Sequence, residues 1–206
     1  VMLDVGADIR ADENDLLQFA LMGSSYSRNG FGIKNPKVGL LNVGTEEHKG
    51  RPELKLAYDL ISAAADYGGF EFIGFVEGND IPSSRVDVIV TDGFTGNIAL
   101  KCAEGTASFI GSALKNAFRY NILSRIVALV ANAPLRRLKK TTDPRRVNGG
   151  VFLGLNGTVV KSHGAADPTA VAAAVSLAYR LAAAKFNSRL AARVASSNSF
   201  IDKKSG

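Results

Sequence analysis

The run Val86, Val88, Ile89 and Val90 is almost uninterruptedly β-branched, a pattern that suits a strand covered on both faces. It leads at once into the polar stretch TDGFTGN, residues 91–97. After Asn97 the apolar residues Ile98, Leu100, Phe109 and Ile110 lengthen toward helical spacing. A doubly covered strand passing through a polar loop into a helix is the building unit of a layered, mainly parallel α/β sheet. Within the loop, Gly93 and Gly96 permit tight backbone and close approach by a ligand. Thr95 reads as the helix cap, and the first helical amides, lacking internal acceptors, would suit an anion. An ordinary strand–helix turn accounts for the same residues, so the chemistry alone leaves both readings open.

The unit recurs along the chain. Strands are expected over 1–5, 38–43, 70–76 and 86–91, with shorter ones near 151–155 and 158–161. Helical patterns occupy 14–28, 53–65, 97–118 and 167–186. The last begins with Asp167 as cap and Pro168 at the first helical position, where a missing N–H costs nothing. Ligands of parallel sheets gather beyond the C-terminal strand ends. Three polar junctions stand there: NVGTEEHKG (42–50), VEGNDIP (76–82) and TDGFTGN (91–97). Together they predict one shared cleft.

Several chemistries lack their signatures. No G-x-G-x-x-G or G-x-x-x-x-G-K-[ST] follows a strand, which argues against hydride transfer and Walker-type hydrolysis. There is no G-x-S-x-G elbow. His48 and His163 are the two histidines and form no zinc motif, so neither a metal nor another cofactor is expected. The single cysteine, Cys102, excludes an internal disulfide framework and reads as a small packed core residue. No apolar run is long enough to span a bilayer. The length of 206 residues fits one domain or lobe. Residues 1–190 are expected to form one incomplete α/β domain and 191–206 a flexible polar tail.

Basicity is local. Lys115, Arg119, Arg125, Arg136, Arg137, Lys139, Lys140, Arg145 and Arg146 face Asp143 alone within 115–146. That window nets +8 in a chain of +6, leaving −2 elsewhere. Ile122, Ile126, Leu129 and Ala133 recur helically before Asn132 and Pro134 interrupt the pattern. A basic amphipathic helical hairpin over 119–146 is therefore expected. It suits dimer formation, contact with an anionic lipid surface through Ile126, Leu129, Arg136, Arg137, Lys139 and Lys140, or both. Tyr120 alone makes no stacking platform, so no nucleic-acid partner is expected.

The segments GIKNPKVGLLNVGTEEHKG, TDGFTGN, AEGTA and LGLNGTVVKSHG, in this order, resemble the bacterial fatty acyl–acyl carrier protein:phosphate acyltransferases of phospholipid synthesis. The resemblance spans nearly the whole chain except the tail. It implies a fold related to isocitrate/isopropylmalate dehydrogenases and phosphotransacetylases, without a redox cofactor. It also implies conversion of acyl-acyl carrier protein and inorganic phosphate to acyl phosphate and free carrier protein. A homodimer is implied, cytoplasmic and peripherally associated with the inner face of the cell membrane. The chain looks like the C-terminal portion of such a protein, opening directly on the strand-like VMLDVGAD, and these 206 residues alone are expected to be inactive. One stretch departs from the family's usual form: in IGFVEGND, Phe75 and Asn79 stand at usually polar and basic positions.

With that resemblance, Lys49 and Asn97 become the candidate catalytic residues. Gly93, Thr95, Gly96 and Asn97 are the candidate phosphate contacts, with Glu47, His48, Asp92 and His163 as supporting cleft residues. A lysine's rotatable donors can follow charge as it moves onto an oxyanion. Two alternatives remain: a short-acyl-CoA phosphotransacetylase using similar electrostatics, and a non-catalytic membrane-binding scaffold.

Overall fold

The computed structural model describes residues 1–46, 48–141, 150–162, 166–192 and 194–195, with backbone alone over 138–141. Its centre is a four-stranded parallel sheet of order β1-β4-β2-β3, formed by β1 (Met2–Leu3), β2 (Lys37–Leu41), β3 (Glu71–Val76) and β4 (Val88–Val90). Helix α1 (Glu13–Phe31) connects β1 to β2, and α2 (Pro52–Gly68) connects β2 to β3. Residues 77–87, holding a 3-10 turn at Gly78–Asp80, carry the chain back across β2, so β4 enters between β1 and β2. Val88, Ile89 and Val90 are all buried, as expected of a strand covered on both faces.

Two apolar clusters hold the fold. Leu16, Leu17, Ala20 and Leu21 of α1 and Leu54, Ala57, Ile61 and Ala64 of α2 close over Val38, Leu40, Val88 and Val90. Their spacing of three and four places them on one helical stripe. Farther along α1, Tyr26 joins Leu181, Phe186 and Leu190 in a second cluster, flanked by Val151, Leu153 and Val160. These belong to α6 (Pro168–Ala183), α7 (Phe186–Ala192) and an antiparallel pair, β5 (Gly150–Phe152) and β6 (Val159–Lys161), with Leu153 directly after β5. The continuous helix expected over 167–186 is broken: Lys185 has positive φ, and Phe186 opens the next helix with its ring buried. Val194 packs on this cluster, inside the span read as tail; residues 196–206 lie outside the described residues.

Caps set the helix starts. Asp12 accepts from the amides of Asn14 and Asp15 at 2.9 Å each, while Asp15 accepts from the Asp12 amide, a reciprocal capping box. At the other end, Gly32 takes a left-handed conformation that closes α1.

Helix α3 (Gly93–Arg119) leaves this body. Of its residues only Gly93 and Gly96 are buried. Cys102 is exposed, which corrects its reading as a core residue: helical periodicity reports a face, and nothing described here covers this one. Helix α4 (Ile122–Val130), capped by Asn121, and α5 (Asn132–Thr141) form the described part of the expected hairpin, whose residues 142–146 lie outside the described residues. The break falls at Ala131 rather than at Asn132–Pro134. Pro134 sits in the first turn of α5, where its amide would have no partner to lose.

Candidate functional site

Because all four central strands are parallel, their C-terminal ends open on one edge of the sheet. The three polar junctions expected there, after β2, β3 and β4, are present. A fourth, residues 4–8 after β1, was not singled out from the sequence. Its carboxylate at Asp4 accepts from the amides of Gly6 and Ala7 at 3.0 Å each and from Asp8 at 2.6 Å. An Asp two residues before a glycine at a strand end is the signal that could have found this turn.

This fourth loop explains the glycines of TDGFTGN. A Cβ on Gly93 would meet the Asp8 carbonyl, and one on Gly96 the Asp4 carbonyl. The close backbone is thus the chain's own segment 4–8, lying across the start of α3. The helix begins at Gly93, four residues before the expected Asn97, and its cap is Asp92 rather than Thr95. Asp92 Oδ1 accepts from the Thr95 amide at 2.7 Å, and Oδ2 accepts from the Thr95 hydroxyl at 3.0 Å. Thr95 therefore donates to the cap. Asn97 is exposed, its side chain beside Gly6.

Arg51, also missed in the sequence, donates from Nη2 to Asp92 Oδ2 at 2.6 Å. Burial by itself raises the Asp92 carboxyl. The Thr95 amide, the Arg51 guanidinium and the Thr95 hydroxyl outweigh it and hold the group below the ordinary carboxylate value. The arginine ties the loop after β2 to the β4–α3 junction, 41 residues away in sequence.

In the loop after β2, buried Asn42 donates its amide N–H to the Val76 carbonyl at 2.8 Å and its Nδ2 to the Lys49 carbonyl at 3.1 Å. Lys49 Nζ is exposed and pairs with Glu46 Oε1 at 2.7 Å. That hydrogen bond raises the lysine above its ordinary value and lowers Glu46. The ammonium is thus fully charged, held by Glu46, with Glu77 at the end of β3 adding negative field. His48 is exposed. Glu47 and His163 lie outside the described residues.

Near the end of β3, Phe75 is buried against Tyr58, ring centroids 4.9 Å apart, and so belongs to the core. Asn79 is exposed on the 3-10 turn, which Asp80 organises by accepting from the Glu77 amide and from Arg85 at 3.0 Å each. Among the described residues, no three His, Cys, Asp or Glu side chains converge as metal ligands. A cavity of about 270 Å³ opens between residues 4–8, Phe19 and Met22 of α1, and Val151–Leu153. Neither Lys49 nor Asp92 lines it: Lys49 is exposed, and Asp92 is buried against Arg51 and Thr95.

On the hairpin, Ile126 is 52% and Leu129 76% exposed, within an apolar surface that includes Ile122, Leu123 and Val130. Arg136 and Arg137 are exposed, while the side chains of Lys139 and Lys140 lie outside the described residues. Among the described residues no single helix is long and apolar enough to cross a membrane. α6 and α7 pass that test only as a pair bent by 57°.

A family profile described as "Fatty acid synthesis protein" matches residues 1–189. The chain is 67% identical over 197 residues to a phosphate acyltransferase of Paracoccus denitrificans (strain Pd 1222), covering 96% of this chain and 53% of the relative. It is 68% identical to one of Jannaschia sp. (strain CCS1), covering 95% of this chain and 53% of the relative. A phosphate acyltransferase of Dinoroseobacter shibae (strain DSM 16493 / NCIMB 14021 / DFL 12) is 69% identical, covering 95% and 51%. The chain thus spans about half the length of these curated relatives.

The Asp92 geometry fixes a pH dependence. A carboxyl depressed in the folded state contributes stability above its unfolded value, about pH 4, and loses it as pH falls through the folded value. Asn keeps the cap but not the charge. Asp92→Asn should therefore cost about 1 kcal/mol at pH 7, discounted for the open side of Arg51. The difference from wild type should shrink toward zero as pH drops below about 4. Urea denaturation of both proteins across that range checks it; a difference independent of pH would refute the role of charge.

Proposed function

The chain belongs to the fatty acid synthesis protein family, and on that premise we propose that the complete protein is a phosphate acyltransferase. It would convert long-chain acyl-acyl carrier protein and inorganic phosphate to acyl phosphate and free carrier protein, for phospholipid synthesis. One observation carries this reading. A charged, solvent-facing Lys49 on the loop after β2 and an exposed Asn97 near the start of α3 stand at one edge of the parallel sheet, and Arg51–Asp92 joins the two segments.

The reaction asks little covalent help of a protein. A phosphate oxygen attacks the thioester carbonyl carbon, the carbonyl oxygen gains charge in a tetrahedral intermediate, and the carbon–sulfur bond breaks to release thiolate. What is needed is an anion held beside a carbonyl and donors where charge develops. In this reading Lys49 neutralises phosphate or the oxyanion, exchanging Glu46 for the incoming anion. Asn97 orients phosphate by hydrogen bonding without adding a proton transfer. Gly93 and Gly96 let the start of α3 sit against residues 4–8, and Thr95 keeps that turn closed on Asp92.

The hairpin supplies the second half of the proposal. Its exposed apolar face fits a homodimer contact or insertion at a membrane surface. Its cations fit anionic lipid headgroups or an acidic carrier protein. Peripheral association with the inner face of the cell membrane follows from that reading.

Lys49→Ala in the complete protein should leave folding intact and lower transfer about 10²-fold, roughly 3 kcal/mol of transition-state stabilisation. Asn97→Ala should do the same less severely. Acyl phosphate formation, assayed in parallel with acyl-acyl carrier protein and short acyl-CoA, checks both substrate and residues. Turnover of short acyl-CoA alone would overturn the substrate assignment, and a folded Lys49→Ala with near-normal rate at limiting phosphate would overturn the lysine's role.

For the hairpin, Ile126→Glu with Leu129→Glu should weaken dimer or membrane association, because charge on that face must be desolvated. Replacing Arg136, Arg137, Lys139 and Lys140 by Gln should weaken binding to anionic liposomes more than dimerisation, an effect that fades at high salt. Liposome flotation paired with light scattering separates the outcomes. Unchanged binding of the Gln variant at low salt would rule out these cations as the lipid contact.

A further inference from the structure

We propose that Arg51 is a positioning residue for the phosphate site: it acts through Asp92 to lock the loop bearing Lys49 against the start of α3, which bears Asn97. This rests on the reading of the sheet edge as a phosphate site.

The loop has little else to hold it. Val43 is 81% exposed, and residues 45, 46 and 48–50 are exposed, so among the described residues burial anchors it only at Asn42 and Gly44. Asn42 fixes the Lys49 carbonyl and packs against Gly50, whose φ of +88° turns the chain directly before Arg51. Among the described residues, the Arg51–Asp92 bond is the one hydrogen bond from this loop to the β4–α3 junction. An exposed ion pair ordinarily contributes little. Here one partner is not exposed: the Asp92 side chain is 6% accessible against 60% for Arg51. Asp92 Oδ2 also receives the Thr95 hydroxyl, so Arg51, Asp92 and Thr95 form one connected unit. Removing the arginine frees the loop and leaves a buried carboxylate with one fewer donor. The loop bearing Lys49 would then drift relative to the start of α3, and anion binding shared between these two segments is sensitive to such drift.

The test uses the complete protein. Arg51→Gln should raise the KM for phosphate about tenfold, below the ~10²-fold that a 1 Å misplacement can cost, while the KM for the acyl donor changes less than about twofold. Arg51→Lys should recover part of the loss, because Asp92 receives a single N–H contact and one positive charge. In an Asp92→Asn background, Arg51→Gln should add less than about twofold, since the two act as one unit. Hydrogen exchange should quicken together in residues 43–50 and 93–97 of Arg51→Gln. Lys101→Gln, which breaks the exposed pair with Glu104 on α3, should change neither readout.

Unchanged exchange in both segments would overturn the clamp. So would multiplicative effects of Arg51→Gln and Asp92→Asn, which would make Arg51 a direct anion contact. A wild-type protein without acyl phosphate formation would instead defeat the functional reading, with the exchange measurements still deciding the clamp.

Discussion

A buried carboxylate at the end of a central strand must be satisfied by donors, and Asp92 gathers them from both sides of the sheet edge. The Thr95 amide and hydroxyl come from α3, and the Arg51 guanidinium comes from the loop after β2. The first bond starts the 27-residue helix. The last brings the Lys49 loop to that start. The parallel sheet makes this convergence available, because every strand delivers its following loop to the same edge. Asp92 converts neighbouring loops into a connected site.

The fold divides the labour between a packed body and an uncovered arm. In the body, α1 serves both apolar clusters, with Leu16, Leu17, Ala20 and Leu21 on one and Tyr26 on the other. In the arm, α3 past its first turn and α4 expose large apolar side chains in numbers seldom left to water. Such a surface needs a cover, which is why the dimer and membrane readings both attach to it. The chain spans about half the length of its curated relatives.

The strand centres were legible because Val88, Ile89 and Val90 have no polar face to expose. Their ends were not. The run expected over 86–91 pairs only at Val88–Val90, since ladder length depends on where neighbouring strands stop. Asp167 and Pro168 announced their helix because capping is local chemistry. The start of α3 was misplaced because Gly93 and Gly96 read as loop residues, whereas they are helical positions kept small by the backbone of residues 4–8.

Sequence by itself determined the parallel α/β class, the three polar junctions beyond strand ends, the basic hairpin and the candidacy of Lys49 and Asn97. Each rests on periodicity, local composition or motif order, which are properties of neighbours along the chain. Tertiary structure alone decided that Arg51 reaches Asp92 across 41 residues and that residues 4–8 lie across the start of α3. Those outcomes depend on which loops a strand order of β1-β4-β2-β3 makes adjacent, and hydrogen bonds between loops leave no period in the sequence.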